Sequence, residues 1–311
     1  MQAIVAASNS EVSGEAPGLA AAPDRGGCAS STWIGDARLE PLRIVLARFR
    51  PTSPPVRPPF AMQDFFHAAF LNSIPPALRE IPQQVRAQTG ITLRVQEIDE
   101  AFAQRHPSFA SAAAVLDIDH LQQAITIRVA PAALSPRVVA HELIHLKRNV
   151  LESVPKFFPV AAASAAEIQS IYLLENALEH LFVVPEEIAT YPEAEALWAH
   201  DYAAWVEGSK HNGFALCLHW FFLRLVLPDQ KAVAEACAAH LNAMQDPYLI
   251  RVAEYLMRTL QDQRPDKLAM QQTLLKAIDP ALRRHIAIGR FAVRDGRLIT
   301  ERLVDGAWEP A

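Results

Sequence analysis

The stretch AHELIHLKRN, residues 140 to 149, sets His141 and His145 four positions apart with Glu142 directly after the first histidine. Neutral imidazoles bind Zn²⁺, and a neighbouring carboxylate can hold a water and take its proton once the metal has lowered that water's pKa to about 7. At 3.6 residues per turn the two imidazoles leave one helical face a turn apart, within reach of a single tetrahedral ion. Glu142, at the edge of that face, suits a general base better than a third ligand. The plainer alternative is a helix surface that happens to carry two histidines, with Glu142, Lys147 and Arg148 as solvated charges. A third ligand decides between them, because a catalytic zinc takes three protein ligands and keeps one position open.

The candidates for that ligand sit in SAAEIQSIYLLENALEHLFVV, residues 164 to 184. Ser164 and Glu167 have capping-box spacing and Pro185 follows, so the spacing predicts a helix that stops before the proline. Glu175, Glu179 and His180 lie among Ile171, Leu174, Leu178 and Leu181. Buried carboxylates are costly unless paired or metal-bound, so they need a reason. Glu175 is the first expectation for the metal, with Glu179 one turn on, placed to accept a hydrogen bond from the outer nitrogen of a histidine ligand. His180 points about 140° from Glu175 on the helical wheel and is the second choice. Glu152 shares a face with His145 but is on the order of 10 Å along the same rigid helix and cannot converge.

With HELIH at 141 to 145 and ENALE at 175 to 179, the chain resembles the gluzincin branch of the zincin metallopeptidases over about residues 90 to 185. The resemblance implies zinc on His141, His145 and Glu175, Glu142 as general base and Glu179 as the acid behind a ligand, although the branch usually has aspartate at that last place. It also implies a downstream group that stabilises the oxyanion. Tyr191, Tyr202, His211 and His219 are available; His211, in the loop-like GSKHNG, is the most accessible, and His219, in an apolar helix, reads better as a hydrogen-bonded core residue. The implied activity is zinc-dependent hydrolysis of a peptide or protein substrate.

Elements must position these residues. Ser135-Pro136 before RVVAHELIHLKRNVL supplies an N-cap hydroxyl and a proline at the first helical position. Upstream, ITLRVQEI (91 to 98), AAAVLDID (112 to 119) and QAITIRVA (123 to 130) read as a small antiparallel sheet, preceded by the helical runs MQDFFHAAFLNSI and PPALREIPQQVRAQTG, the second closing on a glycine cap. Downstream, helical segments cover roughly 136–150, 165–184, 192–207, 212–226, 229–244, 247–261 and 266–278, and RFAVRDGRLITERLV carries an Asp-Gly hairpin signal. The fold class is α+β: a small antiparallel sheet followed by a large, mostly helical part that contains the HExxH helix and the glutamate helix. Residues 1–60, with RPTSPPVRPP at 50 to 59, read as a disordered leader, with Met62 as an alternative start; 61–190 as the zincin-like core; 191–311 as a helical C-terminal part ending in a hairpin.

Composition narrows the classes. The 311 residues are 51 % hydrophobic, enough to fill a sizeable core, and the formal charge of −5 comes without basic clusters, which argues against nucleic acid as a partner. Three cysteines (Cys28, Cys217, Cys237), unpaired by spacing, and a first segment without a basic start or apolar run point to a reducing compartment, the cytoplasm. GFALCLHWFFLRLVLP (213 to 228) is too short and too polar to span a bilayer, so no membrane association is expected. A rival to catalysis is a helical interaction or regulatory protein that keeps a zincin-like scaffold and meets a protein partner through its helical C-terminal part.

Overall fold

A computed structural model describes residue 70 and residues 72–105, 112–264 and 266–311. The leader, Cys28, Met62 and most of the first helical run lie outside the described residues. The order is α1 (Pro76–Arg79), α2 (Ile81–Thr89), β1 (Arg94–Glu97), α3 (Glu100–Arg105), β2 (Ala114–Asp119), β3 (Ala124–Val129), α4 (Pro136–Leu146), β4 (Lys156–Pro159), α5 (Ala165–Thr190), α6 (Ala194–Gly208), α7 (Gly213–Val226), α8 (Lys231–Ala243), α9 (Pro247–Gln263), α10 (Lys267–Ala277), α11 (Pro280–Arg283), β5 (Ile286–Arg294), β6 (Arg297–Val304) and β7 (Ala307–Pro310). The class is α+β, as the sequence indicates. Among the described residues no helix is long and apolar enough to cross a membrane.

The first sheet has strand order β1-β3-β2. It is mixed rather than antiparallel throughout: β2 and β3 form the expected hairpin, but β1 runs parallel to β3, Val95 facing Ile127. The chain leaves β1 through α3 and returns at the far edge, so the hairpin inserts β3 between the two earlier strands. Ala114, Val115, Leu116, Ile118, Ile125 and Ile127 are all inaccessible to solvent, because both faces are covered. Val85, Ile144 and Leu146 close one face, and Phe102 packs on Val115 at the other, with the Arg128 guanidinium 4.4 Å above its ring. That double burial explains the imperfect alternation of these strands in sequence.

The C-terminal strands form a second sheet, β4-β5-β6-β7, all antiparallel. Two Asp-Gly pairs make its tight turns with positive φ at both positions: Asp295 (51°) with Gly296 (71°), and Asp305 (49°) with Gly306 (84°). That is the backbone twist two-residue hairpins require. The sequence reading named the first turn only, and missed β4, which pairs with β5 across more than a hundred residues of chain.

Local signals account for the helix starts. The Ser135 hydroxyl accepts from Val138 N with Pro136 at the first turn of α4, and the Ser164–Glu167 capping box is complete on α5. Gly90 closes α2 in the left-handed conformation, φ 70°. The end of α4 winds into a π turn over Lys147–Leu151, which directs Asn149 and Val150 inward.

The helix expected to stop before Pro185 instead runs through it to Thr190. Proline lacks the N–H that would bond the Leu181 carbonyl, and its ring pushes that carbonyl outward. Arg264, at the end of α9, supplies the missing donor: its Nη2 lies 2.7 Å from Leu181 O, while Nη1 donates to Leu225 O at 3.1 Å. The continuation matters, because it carries Glu187 to the centre of the molecule. Arg264→Ala should therefore destabilise the protein by about 1–3 kcal/mol in urea unfolding. In a Pro185→Ala background, where the backbone N–H returns, the same substitution should cost less; strictly additive effects would remove this reading of the proline.

Candidate metal centre

Helix α4 packs against α5, and their seam is sealed from water. His141, His145 and His180 are 0, 1 and 2 % exposed. One ligand atom from each lies within 4.8 Å of the other two, with the Nε2 atoms of His141 and His145 3.0 Å apart. The imidazole centroids are 4.8 Å apart for His141–His145, 5.2 Å for His141–His180 and 5.4 Å for His145–His180.

His141 is oriented from behind. Its Nδ1 is 2.6 Å from Glu187 Oε2; a carboxylate only accepts, so Nδ1 carries the proton and Nε2 faces the cluster. Glu187 is inaccessible to solvent and also takes hydrogen bonds from Trp198 Nε1, 2.9 Å away, and from Arg137. Burial alone would raise its pKa, but the His141 imidazole, Arg137 and the Trp198 N–H together bring it down to about 2. Burial, then the neighbouring imidazoles, push His145 and His180 well below the usual histidine range, leaving both neutral with a lone pair to offer.

The donor set fits a divalent ion. Within the described residues His180 Nε2, His145 Nδ1 and a Glu142 carboxylate oxygen are buried without a hydrogen-bond partner. Unpaired buried polar atoms carry a cost that a bound ion can offset. A tetrahedral zinc at about 2.0–2.1 Å from each nitrogen separates two of them by roughly 3.3 Å, so the widest pair must draw in modestly on binding. Three nitrogen donors favour zinc or a similar borderline ion over magnesium or calcium.

Glu142 is 1 % exposed. Burial raises its carboxyl to about 7, with Glu187 adding to the rise and His141 and the Leu116 N–H opposing it.

The remaining expected site residues fall elsewhere. Glu175, expected as the third ligand, is held in a separate ion-pair network: Oε1 lies 2.6 Å from Lys267 Nζ and 3.6 Å from Lys156 Nζ, and Oε2 accepts from Phe157 N at 2.8 Å. Glu179, expected behind a ligand histidine, pairs with Arg148 at 2.6 Å and with Lys267. These cations bring Glu179 well below the usual carboxylate range although burial opposes them. The buried acids on α5 thus have a reason, but it is lysine and arginine. The helical wheel already separated Glu175 from His180 by about 140°, and α4 meets the histidine side.

The four oxyanion candidates are also held elsewhere. His211 is exposed beyond the C-terminal end of α6, and the stretch from Trp198 to Gly208 alone spans about 15 Å. His219 is partly buried and 3.2 Å from Ser209 Oγ, hydrogen-bonded as expected. Tyr202 stacks on Phe222 with centroids 4.1 Å apart, and Tyr191 caps α5.

Glu187, Trp198 and Arg137 were not singled out from the sequence. Glu187 follows His180 by seven residues, two turns down the same face, and would have been legible had the helix not been ended at Pro185.

His180→Ala should lose stoichiometric zinc by elemental analysis, while Glu175→Gln should keep it and lose about 3 kcal/mol of stability through its unbalanced buried lysines. The reverse pattern would restore Glu175 as the ligand. No family model matches this chain, and neither a curated protein nor a solved structure matches it, so the assignment of the centre stands on the geometry above.

Proposed function

We propose that the protein is a zinc-dependent hydrolase whose ion is held by His141, His145 and His180, with Glu142 as general base and a peptide amide as substrate. The observation that supports it most is the convergence of three buried imidazoles, two with an unpartnered ring nitrogen, with the buried Glu142 next to His141 in the chain and one of its oxygens also without a partner. When bound, such an ion supplies a Lewis-acid centre that makes water nucleophilic near neutral pH. The chain's own residues do the rest. Glu187 fixes the tautomer of His141, burial keeps His145 and His180 neutral, and Glu142 takes the proton of the attacking water and returns it to the leaving amine. This keeps zincin-type chemistry while replacing the carboxylate ligand of the gluzincin branch with an imidazole. We place its work in a reducing compartment such as the cytoplasm; Cys217 and Cys237 are buried free thiols whose pKa values burial pushes up to about 12.

A second reading, a metal-stabilised scaffold without turnover that serves a protein partner, draws on one observation: Glu142 and all three histidines are at most 2 % exposed, so substrate reaches the centre only after a movement.

Glu142→Gln separates the two. It should leave zinc content unchanged and lower hydrolysis of a peptide library by about 10²–10⁴-fold. Activity equal to the parent would end the role of Glu142. Zinc bound at one equivalent with no turnover in either protein would favour the scaffold, and absence of zinc from the purified parent would remove both.

A further inference from the structure

The structure assigns Trp198 as a positioning residue for the metal centre, contributed by the helical C-terminal part of the chain and acting through Glu187; this rests on the three-histidine reading of the centre. Trp198 lies in the first turns of α6, beyond the Tyr191–Pro192 joint that ends α5, and is 6 % exposed. Its indole N–H donates to Glu187 Oε2 at 2.9 Å, the same oxygen that accepts from His141 Nδ1 at 2.6 Å. The indole also lies against two of the imidazoles, with centroids 5.7 Å from His141 and 5.1 Å from His180. One side chain therefore does two things: it fixes the oxygen that orients His141, and it limits the rotation of the rings that must converge.

Trp198 is itself set by the C-terminal helices. Its ring meets Trp205 at 6.2 Å and Phe222 at 6.0 Å, and Phe222 stacks on Tyr202 at 4.1 Å. Aromatic packing between α6 and α7 thus determines where the indole N–H points, which gives those helices a part in the chemistry of α4 and α5. A carboxylate oxygen with two donors held at fixed angles has little freedom to rotate, and groups behind metal ligands typically change affinity by about 10–100-fold when removed.

Trp198→Phe keeps an aromatic ring and removes the N–H. Zinc affinity measured by chelator competition should fall about tenfold. In a Glu187→Gln background the same substitution should change affinity by less than about twofold, because the oxygen it acts on has already been altered. An unchanged affinity in Trp198→Phe, or a loss equal in both backgrounds, overturns the assignment. If Trp198→Phe does not fold, the indole N–H resonance of the ¹⁵N-labelled parent decides: slow solvent exchange and displacement on adding zinc support the role, and fast exchange or no response overturns it. A parent protein that binds no zinc fails the three-histidine reading itself, a result distinct from either of these.

Discussion

A water-free seam between α4 and α5 governs the rest of the molecule. Polar groups removed from water must find partners or remain as a cost of several kcal/mol. Here the seam holds three imidazoles and two carboxylates, Glu142 and Glu187, each nearly inaccessible. Glu187 is satisfied on both oxygens, and His141 through Glu187, but His180 Nε2, His145 Nδ1 and one oxygen of Glu142 are left over. The three imidazoles converge, and a convergent set of buried ring nitrogens is the physical basis for reading a metal centre here.

Helix α5 solves the same problem twice, by different means on different faces. Toward its N-terminal half, Glu175 and Glu179 meet Lys156, Lys267 and Arg148, brought from β4, the start of α10 and the π turn that follows α4. Ion pairs of this kind are not needed for stability as such, since apolar side chains of equal volume can serve as well or better. Once present, however, each partner holds the other in place, because an unpaired buried charge is far more costly than a paired one. Farther along, His180 and Glu187 face α4, where a neutral ligand and its orienting acid are required. The acids that looked like ligands in sequence and the acid that orients a ligand in space are thus different residues.

The proline in α5 joins these two solutions to the C-terminal helices. Without Arg264 to bond the Leu181 carbonyl, continuing the helix through Pro185 would leave a buried acceptor unpaired, and Glu187 would lose the rigid element that carries it. The C-terminal helices therefore support the centre at two points, Arg264 on the backbone of α5 and Trp198 on the side chain of Glu187. The second sheet makes a third tie, since Phe291 and Leu298 pack into the core beneath the first sheet, and Gln123 exchanges hydrogen bonds with the Leu298 backbone.

By itself the sequence determined what is encoded within a few residues. The Ser135-Pro136 start, the Ser164–Glu167 box, the Gly90 cap and the Asp295-Gly296 turn are local chemistry, and each stands where the pattern places it. So does the placing of His141 and His145 on one face, which follows from helical pitch alone. Tertiary structure decided which neighbour each face would meet. Periodicity sets Glu175 and His180 on different sides of α5 but cannot say which side turns to α4. The lysine that claims Glu175 lies 92 residues away, and the strand that pairs with β4 lies at the far end of the chain. The parallel pairing of β1 and the passage of α5 through Pro185 have the same origin: both depend on partners distant in sequence, whose contacts outweigh the local preference.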